Sequence, residues 1–186
     1  MSKKFKDDFL LTNETDDQGH TRQVSTYIGS VFDLEINQAS LNRLKVLAAF
    51  LYMGGFASHV AAGFLQHSAS YQWFVSIPYT LAFLPIGLLG FALLRLPKET
   101  QNLARYQTEA SFTRGRMMTL FILGLIWLNS VGLVLYMLFN GRSFTARPDY
   151  LYLFLEMFSS IMFLNLFSRL NRVRIQIRIA HNAHKC

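Results

Sequence analysis

Four long apolar blocks, separated by polar segments, dominate the chain. Each block is 19 to 23 residues long, and together they cover 46–66, 72–94, 117–139 and 150–168. A helix that rises about 1.5 Å per residue needs about 20 apolar residues to cross the hydrocarbon core of a bilayer. The blocks lack the period-two alternation of barrel strands, so each predicts a transmembrane helix. The pattern therefore predicts an all-α integral membrane protein, a four-transmembrane-helix bundle.

The basic residues are concentrated in three of the polar segments. Of 18 lysines and arginines, 16 lie in the N-terminal segment, the middle loop and the tail, and the two other loops contain only Arg142 and Arg147. Because cytoplasmic loops carry the excess of Lys and Arg, both termini are predicted to be cytoplasmic, at the plasma (inner) membrane. The two poorly charged loops are short, which predicts two helical hairpins. Aromatic residues near the outer ends, Tyr152 among them, are expected at the interface.

On this basis the chain divides into a cytoplasmic N-terminal segment (1–43), a transmembrane domain (44–168) and a basic cytoplasmic tail (169–186). Within the first segment, two strand-like runs, 9–12 and 23–28, flank the polar turn NETDDQG and predict a small β-hairpin. Asn37 is a candidate N-cap, which would start the first helix near Ala39.

Two further polar segments have a pattern of their own. Residues 172–179 alternate arginine or glutamine with β-branched residues, which predicts a strand paired with the N-terminal hairpin. A cytoplasmic extension of the fourth helix remains an equal alternative. In the middle loop, 97–113, Leu103, Tyr106 and Ala110 share a helical face, which predicts a short surface helix at the inner interface. The arginines predicted to contact anionic lipid are Arg114, Arg116, Arg172, Arg174 and Arg178.

Three polar side chains inside the blocks are candidate site residues. An acidic group near the bilayer centre costs about 2.5–3.5 kcal/mol on insertion scales, so Glu156 requires compensation. His59 and Glu156 each lie about 10 Å below the outer surface by the helical rise, and Asn129 lies about 5–6 Å deeper. One interpretation is a proton-titrating or cation-binding site. The other is a hydrogen-bonded pair that fixes helix register, or a Glu156 that reaches the headgroups.

Small residues form two adjacent rows on the first helix, where they let another backbone approach closely. Packing within the chain is the favoured interpretation, and an oligomer or partner interface is the alternative. The rows comprise Gly54, Ser58 and Ala62, and Gly55, His59 and Gly63. Pro78 and Pro85 in the second helix each remove a backbone donor and crowd the preceding turn, so we expect a kink there.

The composition argues against a soluble enzyme, because only 16% of the residues are charged against the usual 25% or so. The net charge of +7 reflects membrane orientation, and no nucleic-acid partner is expected. A single cysteine, Cys186, excludes a CxxC pair, and the sequence has no phosphate-binding loop or hydrolase elbow. We therefore expect no cofactor, metal or catalytic residue, and favour an accessory or structural subunit that contacts the bilayer and a membrane or cytoplasmic partner. The alternative is a small homo-oligomeric transporter or channel with its site at Glu156 and His59.

Overall fold

A computed structural model of the chain describes residues 9–15, 21–27, 31–66, 69–101, 103–139 and 147–178. A π-helical stretch, Glu109–Thr113, joins its third and fourth helices. The helices are α1 (Gln38–Gly63), α2 (Trp73–Leu94), α3 (Arg105–Thr108), α4 (Arg114–Phe139) and α5 (Arg147–Arg172). The strands are β1 (Phe9–Thr15), β2 (Thr21–Tyr27), β3 (Val31–Leu34), β4 (Leu103–Ala104) and β5 (Ile175–Arg178).

Four helical segments, those containing α1, α2, α4 and α5, are long and apolar enough to cross a membrane. The predicted multi-pass helical architecture is therefore confirmed. The helices extend beyond the apolar blocks at several ends, since polar turns continue them. At the start of α1 the Asn37 side chain accepts a hydrogen bond from the Ser40 amide at 2.7 Å, which confirms the predicted cap.

The prediction of a separate surface helix in the middle loop is wrong. Residues 98–101 form bends, and β4 follows them. From Arg105 the helix runs through the π-helical stretch directly into α4. Phe112 in this stretch has no exposed surface and belongs to the core of the bundle. The burial of Phe112 holds this segment against the helical bundle. The segment is therefore part of the bundle and not a separate helix on the membrane surface.

The strands form two antiparallel groups. β1 pairs with β2, as the N-terminal pattern predicted. β3 is the central strand of a three-stranded sheet, with β4 on one side and β5 on the other. The tail thus forms a strand after α5 ends at Arg172, but its partner is β3 and not the β1–β2 pair. Phe32 and Ile177 lie opposite each other in this register, as do Leu34 and Ile175.

The three-stranded sheet gathers three distant parts of the chain at one end of the bundle. β3 precedes α1, β4 precedes α3, and β5 follows α5. The segment before α1, the middle loop and the tail are therefore on the same side of the helices. We call this the sheet end, and it is the end that the basic residues mark in the sequence.

Helix packing does not follow chain order. α1 packs most extensively on α5, and α2 packs most extensively on α4. α4 also contacts α5 over a substantial surface, whereas α1 and α2 contact each other only slightly. The predicted tight hairpin of the first two helices is therefore a minor interface, because α5 occupies the small-residue face of α1.

The buried core has two apolar clusters with a polar layer between them. The cluster at the sheet end includes Leu41, Phe112 and Leu170, and the cluster at the opposite end includes Val75 and Leu133. Between them along α1, α4 and α5 lie buried polar side chains, which we call the polar layer: Ser58, His59, Asn129, Ser130, Glu156, Ser159 and Ser160.

Candidate functional site

His59 of α1 and Glu156 of α5 form a buried pair at the centre of the polar layer. The His59 Nδ1 atom lies 3.0 Å from Glu156 Oε1 and 3.2 Å from Oε2. Neither side chain has any exposed surface. The helical rise placed the two residues at the same depth, and the packing of α1 on α5 brings them together.

The two ring nitrogens of His59 have different polar neighbours. Nδ1 faces the Glu156 carboxyl group, and Nε2 lies 3.3 Å from the backbone carbonyl oxygen of Tyr79. A carbonyl oxygen only accepts, so a hydrogen bond at this second contact requires a proton on Nε2. Without its contact to His59, the Glu156 carboxyl group would be buried with an unsatisfied hydrogen-bonding capacity, which is costly.

Aromatic residues of α2 enclose the imidazole ring. The ring centroid of His59 lies 4.4 Å from that of Tyr79 and 4.9 Å from that of Phe83. The Tyr79 hydroxyl donates a 2.9 Å hydrogen bond to the His59 backbone carbonyl. A Cβ atom on Gly63 would lie only 2.1 Å from that hydroxyl oxygen, so the glycine leaves the space that Tyr79 occupies.

Two reciprocal hydrogen bonds hold α1 against α5 beside the pair. Ser58 donates to the Leu155 carbonyl at 2.7 Å, and Ser159 donates to the Gly55 carbonyl at 2.9 Å. These bonds require backbones in close approach, which the small residues of α1 permit.

The predicted small-residue rows therefore face elements of the same chain. A Cβ atom on Gly55 would lie 2.9 Å from the ring of Phe163, whereas one on Gly54 would lie 3.7 Å from Met162. Ala62 has no exposed surface and belongs to the apolar cluster opposite the sheet end. Gly63 leaves room for Tyr79 of α2, so the rows serve two neighbouring helices.

Asn129 lies in the polar layer but hydrogen-bonds outside the pair. Its Nδ2 atom contacts the Tyr152 hydroxyl at 2.6 Å. Among the described residues, the Asn129 Oδ1 atom and the Ser130 hydroxyl are the buried side-chain polar atoms without a hydrogen-bond partner. An amide placed the other way round would leave the nitrogen unpartnered instead. In the polar layer, the side chains of His59 and Glu156 therefore have hydrogen-bond partners, whereas two polar atoms of α4 do not.

Tyr152 and Tyr79 are site residues that the sequence analysis missed. Tyr152 was expected at the membrane interface, but only 1% of its surface is exposed, because it packs in the apolar cluster opposite the sheet end. Its ring centroid lies 6.3 Å from that of Tyr79. Tyr152 and Glu156 are four residues apart and thus share a helical face, which is the signal that could have identified Tyr152.

The structure describes the side chains of four of the five arginines predicted to contact lipid. Arg116 donates two hydrogen bonds to the Leu170 carbonyl and one to the Val173 carbonyl, at 2.8 to 3.1 Å. Arg116 therefore caps the end of α5. The sequence analysis predicted that it contacts lipid and did not identify this role. Arg114, Arg172 and Arg174 are exposed, and the side chain of Arg178 lies outside the described residues.

The two prolines of α2 are both buried, and the helix continues through them from Trp73 to Leu94. Pro78 lacks the amide hydrogen that would bond to the Phe74 carbonyl. That carbonyl oxygen lies beside Gly132 of α4, 3.2 Å from the position of a Cβ atom. Gly132 thus permits α4 to approach α2 at this point. The kink remains a prediction.

Within the described parts of the chain, no three His, Cys, Asp or Glu side chains come together as a candidate metal site. Comparisons with models of protein families, with curated proteins and with solved structures give no match to this chain.

Proposed function

We propose that this protein is a non-enzymatic accessory or structural subunit of a membrane complex. The observation that carries the proposal is the complete burial of the His59–Glu156 pair, whose hydrogen bonds link α1 with α2 and α5. Buried polar contacts of this kind specify which helices pack together in a membrane. The pair serves to fix the arrangement of the bundle, and a fixed bundle can hold docking surfaces for other subunits.

The sheet end is the proposed docking region, and it faces the cytoplasm in this proposal. Sixteen of the eighteen lysines and arginines lie in the segments on that side, which is the bias expected of cytoplasmic segments at the plasma (inner) membrane. The bilayer and a membrane or cytoplasmic protein are the proposed partners. The three-stranded sheet gives this end a defined backbone shape, which is suited to contact with a protein.

Native mass spectrometry of the tagged protein, extracted from its own membrane in mild detergent, tests this proposal. We expect a heteromeric complex of fixed stoichiometry. The variant His59→Leu/Glu156→Leu replaces the pair by apolar side chains, and it should retain the partner if it folds, because the pair has only a structural role. A homo-oligomer that carries no other protein would contradict the proposal.

A small homo-oligomeric transporter or channel with a proton- or cation-binding site at Glu156 and His59 is the second candidate. The observation that favours it is the unpartnered amide oxygen of Asn129 in the same buried layer. An intramembrane carboxyl group in contact with a histidine is also typical of proton pathways.

Proton flux into liposomes that contain the protein and a pH-sensitive dye distinguishes the two candidates. A transporter should acidify the liposomes, and Glu156→Gln should abolish the flux while the exposed-site control Arg169→Gln retains it. Flux equal to that of protein-free liposomes would exclude proton transport by this protein.

A further inference from the structure

The slight contact between α1 and α2 leaves a groove between them near the sheet end. The groove has a volume of about 650 Å³. Its walls are mostly apolar side chains of both helices, and Lys45 and Lys98 are its two charged residues. Lys45 lies near the start of α1 and Lys98 follows the end of α2, so both lysines belong to the sheet end of the groove.

Glycine residues of α2 keep the groove open. A Cβ atom on Gly87 would have no atom within 4 Å, so this position borders open space. A Cβ atom on Gly90 would lie 2.7 Å from the Tyr52 hydroxyl oxygen, so Gly90 makes room for that side chain. Among the described residues, the Tyr52 hydroxyl has no hydrogen-bond partner, and it is therefore available within the groove to a ligand.

The charged mouth of the groove adjoins a second, more polar pocket of about 400 Å³, which shares Leu96 and Lys98 with it. That pocket also includes Arg95, Glu99 and Gln107. The two cavities together are lined by three cationic side chains and one carboxylate, and Lys98 lies at their junction. The combined site is apolar toward the middle of the helices and cationic at the sheet end, which is the arrangement that complements a lipid with a negatively charged headgroup.

We propose that this groove binds one anionic phospholipid from the leaflet at the sheet end. The phosphate lies between Lys45 and Lys98, where lysine donors suit a phosphate. The Tyr52 hydroxyl donates to an ester carbonyl, and an acyl chain runs along the surface of Gly87 and Gly90. Gly87 lies seven residues before the end of α2. This leaves about 10 Å of helix surface along which the part of the acyl chain nearest the headgroup can lie. The site requires a membrane-embedded bundle, but it does not depend on the proposed role as a subunit.

Native mass spectrometry in detergent tests the site with two added lipids, phosphatidylglycerol and phosphatidylcholine, that have the same acyl chains. We expect the wild-type protein to retain one phosphatidylglycerol in preference to phosphatidylcholine. Lys45→Gln/Lys98→Gln should weaken this retention by roughly thirtyfold, as expected for two lysines near a charged headgroup. Gly87→Leu should abolish retention, because the new side chain occupies the groove.

Each variant has a matched control. Arg169→Gln/Arg172→Gln removes two charges from exposed positions in the last turn of α5, and Gly124→Leu adds the same side chain at an open position of α4. Both controls should retain the lipid, and thermal unfolding confirms that all four variants fold. Equal retention of the two lipids by the wild type, or equal loss in the controls, would overturn the proposal. If Gly87→Leu unfolds, Gly87→Val provides the steric test, and undiminished retention by that variant would also overturn it.

Discussion

The guanidinium group of Arg116 donates two hydrogen bonds to the backbone carbonyl of Leu170, from Nε at 3.1 Å and from Nη2 at 2.8 Å. Nη2 also reaches the Val173 carbonyl at 2.8 Å. The last carbonyl groups of a helix have no partner within the helix, and a cation near them is favoured by the helix dipole. The first turn of α4 therefore stabilises the end of α5, at the point where the chain leaves the helix for β5.

Replacement of Arg116 should consequently destabilise the protein more than replacement of its neighbour Arg114. We expect Arg116→Gln to lower the free energy of unfolding by about 1.5–3 kcal/mol, because hydrogen bonds from a charged donor are lost. Arg114→Gln, at an exposed position, should change it by less than about 0.5 kcal/mol. Thermal unfolding in mild detergent measures both, and equal effects of the two substitutions would contradict a capping role.

Gly55 and Gly54 provide a second matched pair, because they are adjacent on α1 but face different surroundings. Gly55→Ala would bring a methyl group within 2.9 Å of the Phe163 ring, and such overpacking costs about 1–3 kcal/mol. Gly54→Ala would make an ordinary 3.7 Å contact with Met162 and should stabilise the helix by up to about 1 kcal/mol. Thermal unfolding should therefore show shifts of opposite sign.

The smaller side chain in Phe163→Leu should relieve much of the overpacking in the Gly55→Ala background. The double variant should then be more stable than the sum of the two single effects implies. Strict additivity would mean that the ring of Phe163 is not what excludes a side chain at position 55.

The hydrogen bond between Asn129 and Tyr152 predicts an asymmetry between two substitutions. Tyr152→Phe removes the hydroxyl and leaves the whole Asn129 amide buried without its partner, which should cost about 1–3 kcal/mol. Asn129→Leu removes the amide together with its unpartnered end, and should be neutral or stabilising. Unfolding measurements on the single and double variants should show that Tyr152→Phe costs less in the Asn129→Leu background. The same cost in both backgrounds would exclude this contact.

The register of β3 with β5 can be measured by disulfide formation. Leu34 and Ile175 are direct partners across the two strands, and the next residue, Gln176, faces the other side of the sheet. With Cys186→Ser as the background, Leu34→Cys/Ile175→Cys should cross-link under a mild oxidant, and Leu34→Cys/Gln176→Cys should not. Mass analysis of the oxidised protein detects the bond. Cross-linking of the second pair alone would indicate a different register.

Much of this fold could be predicted from local pattern. Apolar length identified the four spans, Asn37 marked the start of α1, and alternation gave the strand β5 as one of two equal alternatives. The helical rise also placed His59 and Glu156 at one depth. Each of these features depends on residues close together in the chain, or on a distance along a helix axis that the sequence alone determines.

The other features of the fold depend on which helices are neighbours and on how each helix is rotated about its axis. Neither can be predicted from the local pattern of one sequence. Asn129 was expected beside Glu156 because depth was considered without rotation, and it contacts Tyr152 instead. Arg116 could not be identified as a cap, because its acceptors, the carbonyls of Leu170 and Val173, lie more than 50 residues further along the chain. For the same reason, β5 was predicted to pair with the N-terminal hairpin, whereas it pairs with β3. The contact between α1 and α2 is small because of how the helices pack. The groove proposed to bind lipid results from this packing and could not be predicted either.

The position of β3 at the centre of the three-stranded sheet has a consequence for biogenesis. β3 lies before the first candidate span and β5 lies after the last, so their pairing requires an even number of membrane crossings between them. A molecule in which one span failed to insert would place these strands on opposite sides of the bilayer. The paired sheet therefore distinguishes a chain with an even number of crossings from one in which a single crossing is missing, and an unpaired β3 would leave an exposed strand edge.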